Sequence, residues 1–330
     1  MNKSTAMFAQ PKQYLCSLIN HHMKKIFLLA ATALQLLSLS AQQKTIAERL
    51  GYPKNAKLLI LHADDVGVSH AENEATINAM EKGCINSASI MVPCPWFTEI
   101  ASYARENPGK DFGLHITLTS EWKNYKWGPV TQHQIVPTLI NNQGFFYSNA
   151  DSVKRFAMTA QVEVEMRNQV RRAIQFGIDP THLDAHMFTA VRKLDFLKAY
   201  VKVGREFKIP VFVAREIERD LTINFDTVLA KGEVVVDSIV TILPENMRSG
   251  AAGFYAKALR NLAPGLTYFI IHTAYDTEEM RAVTKGFTEW GSAWRQTEYD
   301  FFSGPECAKI LKENNIQLVS WREIRDKLYR

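Results

Sequence analysis

The sequence of 330 residues has few cysteines and lacks several motifs that mark common functional classes. Its four cysteines are Cys16, Cys84, Cys94 and Cys307, and their spacing matches no zinc-binding pattern. Cys84 and Cys94 could pair in an oxidising compartment, but without a disulfide framework we expect buried thiols. No segment repeats at a fixed period. No G-x-G-x-x-G motif follows a predicted strand, so nothing supports a dinucleotide site.

The chain also lacks a strong excess of charge of one sign. Its formal net charge is +5, but residues 1–41 contain four lysines and no acidic residue. The remainder therefore carries a formal charge of only +1, which gives no electrostatic basis for binding nucleic acid. We predict that nucleic acid is not a partner.

An apolar run at residues 26–37 is too short to cross a membrane, which takes about 20 residues. Lys24 and Lys25 precede this run, and the small residues Ser40 and Ala41 follow it. The order of basic, apolar and small residues is typical of a secretory signal peptide that is cleaved near Ser40 or Ala41. An uncleaved N-terminal anchor is the alternative.

We therefore divide the chain into three parts. Residues 1–22 precede the more plausible start at Met23 and are interpreted as an upstream start-site artefact. Residues 23–41 are the predicted signal peptide. Residues 42–330 form a single predicted domain, located in the periplasm or secreted, with no stable membrane insertion after the signal is removed.

Short apolar runs alternate with helical stretches along this domain. Alternation of strands and helices favours a parallel sheet with crossover helices. About eight strands in fewer than 300 residues predict an α/β fold of the TIM-like (β/α) barrel type, regular or distorted, with a doubly wound open sheet as the alternative. The predicted strands are residues 58–62, 88–92, 112–118, 182–185, 211–214, 234–240, 268–272 and 317–319.

Residues 119–158 interrupt this alternation and are rich in aromatic side chains, including Trp122, Tyr125 and Trp127. We predict a loop insertion over the mouth of the barrel, where exposed rings could stack on sugar faces. The alternative, which we favour slightly for most of these rings, is that they pack into a small core of their own. A second aromatic region lies at residues 273–302.

Histidine and aspartate side chains recur where the predicted strands end. The stretches "LLILHADDVG", "FGLHITLT", "THLDAHMF" and "YFIIHTA" contribute Asp64, Asp65, His115, His182, Asp184, His186 and His272. The carboxyl ends of parallel barrel strands meet on one face, so we expect these groups to converge. One carboxylate with two imidazoles is a common open metal site. A divalent cation would also offset the repulsion between two adjacent carboxylates.

Strand periodicity orders the second of these histidine motifs. His182, Asp184 and His186 alternate, so on a regular strand they point the same way and cannot all be metal ligands. His186 comes last and is expected nearest the mouth. Asp184 is predicted to orient a ligand from behind, and His182 is predicted to lie deeper.

Five motifs, in this order and spacing, resemble the YdjC-like carbohydrate deacetylase family, which includes chitooligosaccharide deacetylases. They are "HADDVG", "INSASIMVPCPWF", "GLHITLT", "VPTLINNQGFFY" and "PTHLDAHMF". The resemblance implies a TIM-like barrel related to polysaccharide deacetylases. It also implies metal-dependent removal of acetyl groups from N-acetylated oligosaccharides.

The resemblance further implies roles for individual residues. Asp65, His115 and His186 match the metal ligands of the family and would hold one divalent ion, Zn²⁺ or Mg²⁺. Asp64 matches the catalytic base of related deacetylases, and His272 the position of a late histidine thought to act as an acid. One departure is that "MFTA" follows His186, where family members usually carry further histidines.

Three other functions remain open from the residues alone. A glycoside hydrolase would use two carboxylates about 5–10 Å apart, whereas adjacent Asp64 and Asp65 on a regular strand point to opposite sides. A catalytically silent carbohydrate-binding protein and an amidase or esterase acting on other substrates are also compatible. Arg215, Arg248 and Arg295 could contact an anionic sugar group, although ion pairs are the commoner role. No oligomeric state is predicted.

We expect the mature protein to begin near residue 41 or 42 when the full chain is expressed in a bacterial host, because the signal peptide is cleaved on export. Intact mass of the protein recovered from the periplasm or medium checks this. Changing both Lys24 and Lys25 to Glu should block export and serve as a control. A membrane-bound product that retains residues 23–41 would instead support the anchor.

Overall fold

The computed structural model describes residues 44–287 and 289–330. The predicted start-site artefact at residues 1–22 and the predicted signal peptide at residues 23–41 lie outside this part of the chain. Within it, no helix combines the length and apolar character needed to traverse a bilayer.

Seven strands lie in the described residues, and every pairing between them is parallel. They form one sheet in the order β4-β3-β2-β1-β6-β5, with β7 paired to β1. Helices cover the sheet, so the central strands are buried almost along their whole length. The strands are β1 (Lys57–Val66), β2 (Ser87–Ile90), β3 (Phe112–Ile116), β4 (Leu183–Ala185), β5 (Ser238–Val240), β6 (Gly265–Ile271) and β7 (Ile316–Leu318).

Twelve α-helices accompany these strands in the same part of the chain. The second aromatic region of the sequence, residues 273–302, contains the helix Glu278–Val283 and most of the helix Ser292–Ser303. The helices are α1 (Ile46–Leu50), α2 (His70–Lys82), α3 (Phe97–Glu106), α4 (Ala150–Phe156), α5 (Thr159–Gln175), α6 (Leu194–Phe207), α7 (Arg215–Leu221), α8 (Pro244–Arg260), α9 (Glu278–Val283), α10 (Ser292–Ser303), α11 (Pro305–Glu313) and α12 (Trp321–Leu328).

The sheet curves into a parallel half-barrel, and a closed TIM-like barrel is not confirmed. Between β4 and β6 the expected strand at residues 211–214 forms only isolated bridges, Leu183 to Val211 and Ala214 to Val236. The strand expected at residues 234–240 is shortened to β5. Pro210 has no backbone N–H to donate beside β4, although its carbonyl accepts a hydrogen bond from Leu183 N–H at 2.9 Å. The prediction of a parallel α/β fold is therefore confirmed. The prediction of full strands at residues 211–214 and 234–240 is wrong, and we call this weakly paired part of the sheet the seam.

Aromatic side chains of the insertion at residues 119–158 pack into the hydrophobic core that the rest of the domain shares. Trp122 and Trp127 are both buried, and Trp127 Nε1 donates a hydrogen bond to the Thr119 carbonyl at 2.7 Å. Their rings meet edge to face with centroids 5.8 Å apart. Packing therefore explains the burial of these two rings. This agrees with the packing role that the sequence analysis favoured for most of the aromatic side chains, although the core is shared and not their own.

The three cysteines in the described residues, Cys84, Cys94 and Cys307, are buried free thiols. The disulfide between Cys84 and Cys94 that the sequence left open is not formed. Packing, rather than covalent cross-linking, holds these segments together.

Close packing at Gly113 on β3 gives a test of the fold. A Cβ atom there would overlap the imidazole of His182, so Gly113→Ala should lower the free energy of unfolding by about 1–3 kcal/mol. Urea denaturation measures this change. Gly109→Ala is the matched control, because an added Cβ there meets no atom within 4 Å. Equal stability of the two variants would contradict the packing.

Candidate metal and catalytic site

The carboxyl ends of four strands border one cleft with a volume of about 370 Å³. Asp64 and Asp65 come from the end of β1, and His115 comes from β3. His186 directly follows β4, and His272 directly follows β6. All five predicted catalytic and metal-binding residues therefore line the same cleft.

A bulge in β1 lets two consecutive aspartates face the cleft. The register of β1 against β2 shifts between Ala63 and Val66, and Asp65 has a left-handed φ of 65°. Aspartate tolerates this conformation better than most residues. The bulge re-aims Asp65 to the side that Asp64 occupies. The rule that adjacent strand residues point to opposite faces fails here.

Three donor atoms form a nearly equilateral triangle. Asp65 Oδ1 lies 3.3 Å from His115 Nε2 and 3.1 Å from His186 Nδ1, and the two nitrogens are 3.2 Å apart. A tetrahedral ion with bonds of 2.0–2.1 Å requires donor separations of about 3.3 Å. Asp65 Oδ1 is also buried without a hydrogen bond of good geometry. These residues therefore fit a small divalent cation.

The far nitrogen of each imidazole meets a carboxylate. His115 Nδ1 lies 2.7 Å from Asp184 Oδ1, and His186 Nε2 lies 3.0 Å from Glu121 Oε2. A carboxylate only accepts, so in a neutral ring the proton would sit on that far nitrogen and leave the lone pair of the near nitrogen for a cation in the donor triangle. Asp184 thus orients a ligand, as expected. Glu121 does the same for His186 and was not identified from the sequence.

Charges around the triangle are strongly coupled. Burial raises the pKa of Asp65, but the Arg295 charge and contacts with His115 and His186 outweigh burial and hold the pKa well below its usual value. Burial lowers the pKa of His186, whereas Glu121 and Asp65 raise it to about 9. Without a cation, the imidazoles therefore retain protons that cation binding must displace.

Arg295 is an ion-pair residue of the site. It is 2% exposed, and its Nη2 donates to Asp65 Oδ2 at 2.8 Å. Arg215 and Arg248, the other two arginines singled out in the sequence, pair with Glu218 and Glu289 near the surface. Arg295 is therefore the only one of the three that contacts a predicted metal ligand among the residues the structure describes.

Asp64 lies between two histidines. Its Oδ1 is 3.2 Å from His62 Nε2, and its Oδ2 is 4.0 Å from His272 Nε2. Burial is the main cause that lowers the pKa of His272, to about 4, so this imidazole is neutral near pH 7. The backbone N–H of His272 donates to Glu298 Oε2 at 2.6 Å, which fixes this strand end.

His182 does not line the cleft. Its ring is fully buried, stacks on Trp321 with centroids 5.1 Å apart, and Nδ1 contacts Thr181 Oγ1 at 2.9 Å. His62 contacts both Asp64 and Asp184, and this role was not identified from the sequence. Strand periodicity could have found it, because His62 and Asp64 alternate on β1.

Residues 58–313 match the family described as YdjC-like protein. A carbohydrate deacetylase from Thermus thermophilus is 29% identical over 290 residues, which cover 86% of this chain and 99% of that protein. A carbohydrate deacetylase from Thermoanaerobacter pseudethanolicus is 23% identical over 271 residues, with coverage of 80% and 98%.

A solved structure shares this fold. It is the crystal structure of a protein from Enterococcus faecalis V583 that was assigned to cellobiose-phosphate cleavage. The two chains superpose with a TM-score of 0.69 at 18% sequence identity, and the match covers 82% of this chain and 99% of that one.

The contact between Glu121 and His186 generates a prediction about metal affinity. Glu121→Gln should weaken zinc binding by about 10- to 100-fold, because an amide orients the imidazole less strongly than a carboxylate. Competition with a chromophoric chelator measures the affinity without any substrate. Glu106→Gln, which changes an exposed glutamate, is the control. Equal zinc affinities for both variants would remove Glu121 from this role.

Proposed function

Since the chain belongs to the YdjC-like protein family, we propose that it is a metal-dependent hydrolase that removes N-acetyl groups from amino-sugar-containing carbohydrates. Relatives named carbohydrate deacetylases match it over almost their full length and support this class of reaction. The products would be acetate and a sugar with a free amine. If the predicted signal peptide is processed, the reaction takes place in the periplasm or outside the cell.

The observation that carries the proposal is the donor triangle with a further carboxylate beside it. Asp65 Oδ1, His115 Nε2 and His186 Nδ1 would hold the cation. Two nitrogen donors with one oxygen suit Zn²⁺ better than Mg²⁺, which prefers oxygen ligands. When bound, the cation supplies Lewis acidity, which polarises the acetyl carbonyl, lowers the pKa of the attacking water and stabilises the developing oxyanion.

The chain's own residues would move the protons. Asp64 borders the cleft beside the triangle and would accept the proton of the attacking water. Because burial lowers its pKa, His272 is neutral near pH 7 and does not begin the reaction as a protonated acid. It would therefore protonate the leaving amine only after taking up a proton during the reaction, and Asp64 Oδ2 lies 4.0 Å away.

The remaining walls of the cleft suit a sugar. Aromatic and apolar side chains line it together with the charged groups, and flat apolar rings pack against the C–H faces of pyranose rings. The wall residues are Trp122, Phe188, Phe212, Phe287 and Trp290. This composition favours a carbohydrate over a small polar amide as the substrate.

Two adjacent isosteric substitutions test the roles of the aspartates. Asp64→Asn should retain bound zinc and lower turnover by about 10²- to 10⁴-fold, the usual contribution of a general base. Asp65→Asn should lose zinc as well, while asparagine still tolerates the left-handed backbone. The measurements are elemental analysis after dialysis and acetate release from N-acetylated oligosaccharides, with a chelator and with metal added back.

The same assays separate the alternatives. New reducing ends that form in the presence of chelator would indicate a glycoside hydrolase. Sugar binding without acetate release would indicate a catalytically silent binding protein. Unaltered turnover of Asp64→Asn on a proven substrate would remove Asp64 as the base.

A further inference from the structure

Arg295 joins three separate segments of the chain at the cleft. Its Nη2 donates to Asp65 Oδ2 at 2.8 Å, its Nη1 donates to Glu72 Oε1 at 2.5 Å, and its Nε donates to the Trp290 carbonyl at 2.9 Å. Asp65 ends β1, Glu72 lies in α2, and Trp290 precedes α10. All three nitrogens of one planar guanidinium are therefore engaged in a buried setting.

The first contact limits how Asp65 binds a cation. Arg295 occupies Oδ2, so only Oδ1 is directed at His115 Nε2 and His186 Nδ1. A carboxylate with one oxygen held in this way offers a single donor atom. That arrangement suits a tetrahedral ion and disfavours larger ions that bind both oxygens.

The third contact holds an unusual backbone at the cleft wall. Trp290 lines the cleft and has a φ of 56°, a left-handed conformation that bulky residues rarely adopt. Such conformations persist only where the surroundings enforce them, and they concentrate at binding sites. The Arg295 hydrogen bond and stacking on Trp294, with ring centroids 4.9 Å apart, supply that enforcement.

We propose that Trp290 is the aromatic platform that binds a sugar ring of the substrate, and that Arg295 is a positioning residue that ties this platform to Asp65. This inference rests on the proposed function for the identity of the substrate. The guanidinium of Arg295 then fixes the positions of both Asp65, the metal ligand, and Trp290, part of the sugar-binding wall. Lysine cannot replace it, because an ammonium group lacks the planar fork that reaches all three partners.

Three variants of the full chain test the proposal. Arg295→Lys keeps the positive charge but removes the planar guanidinium that reaches all three partners. Trp290→Gly removes the ring and accepts the left-handed backbone without strain. Arg281→Lys is the control, because Arg281 is exposed and pairs with Asp276 away from the donor triangle. For each variant, zinc affinity is measured by chelator competition, chitotriose binding by calorimetry, and kcat and KM by acetate release.

Arg295→Lys should weaken zinc binding by about 10- to 100-fold and also weaken chitotriose binding. Trp290→Gly should weaken chitotriose binding and raise KM by about 3- to 10-fold, with zinc affinity unchanged. Arg281→Lys should match the wild type in every assay. Unchanged zinc affinity in Arg295→Lys, or unchanged chitotriose binding in Trp290→Gly, would overturn the proposal.

The zinc and chitotriose measurements need no turnover. If the wild-type protein binds chitotriose and zinc as expected but releases no acetate, the proposed function fails while the link between Arg295 and Trp290 stands. If acetate is released but the variants do not show the expected differences in zinc affinity and chitotriose binding, the proposed function stands and the link between Arg295 and Trp290 fails.

Discussion

The repulsion between two buried, adjacent carboxylates is the constraint on which the cleft depends. A bulge turns Asp65 toward the side of Asp64, and each carboxylate then needs positive or donating partners; β1 itself supplies His62 to Asp64, and the partners of Asp65 come from elsewhere. His115, His186 and Arg295 come from separate elements to meet that need. The parallel sheet brings these elements together, because its strands all end on the same side.

Much of this arrangement could be predicted from the sequence. The five motifs identified the family correctly, and the end-of-strand rule brought Asp64, Asp65, His115, His186 and His272 to one cleft. The bulge could not be predicted, because the left-handed residue is Asp65 itself, and the glycine in "LHADDVG" is Gly67, beyond the register shift between Ala63 and Val66. The partner of Arg295 could not be predicted either, because 230 residues separate it from Asp65. Glu121 could not be predicted either, because it lies in the insertion beyond β3, and no strand periodicity relates it to His186.

The segment after His186 shows how a departure in sequence reshapes the cleft. The resemblance to the family suggested further histidines there, whereas this chain has Met187 and Phe188, both with left-handed φ values of about 52–53°. Both side chains line the cleft. Apolar side chains thus stand where additional imidazoles would have added polar contacts, and they join Phe212 and Trp290 in lining the cleft.

The seam beside β4 gives the molecule an uneven resistance to opening. Between β4 and β6 the chain is joined by isolated bridges and by the three-residue β5, whereas β1 and β6 pair over seven successive positions. Fewer backbone hydrogen bonds must break to separate the seam, so local breathing concentrates there. The donor triangle is built on β1, β3 and β4, and the aromatic wall at Phe212 lies on the seam. The charged centre of the cleft therefore rests on strands paired along the sheet, whereas part of its apolar wall rests on the weakly paired seam.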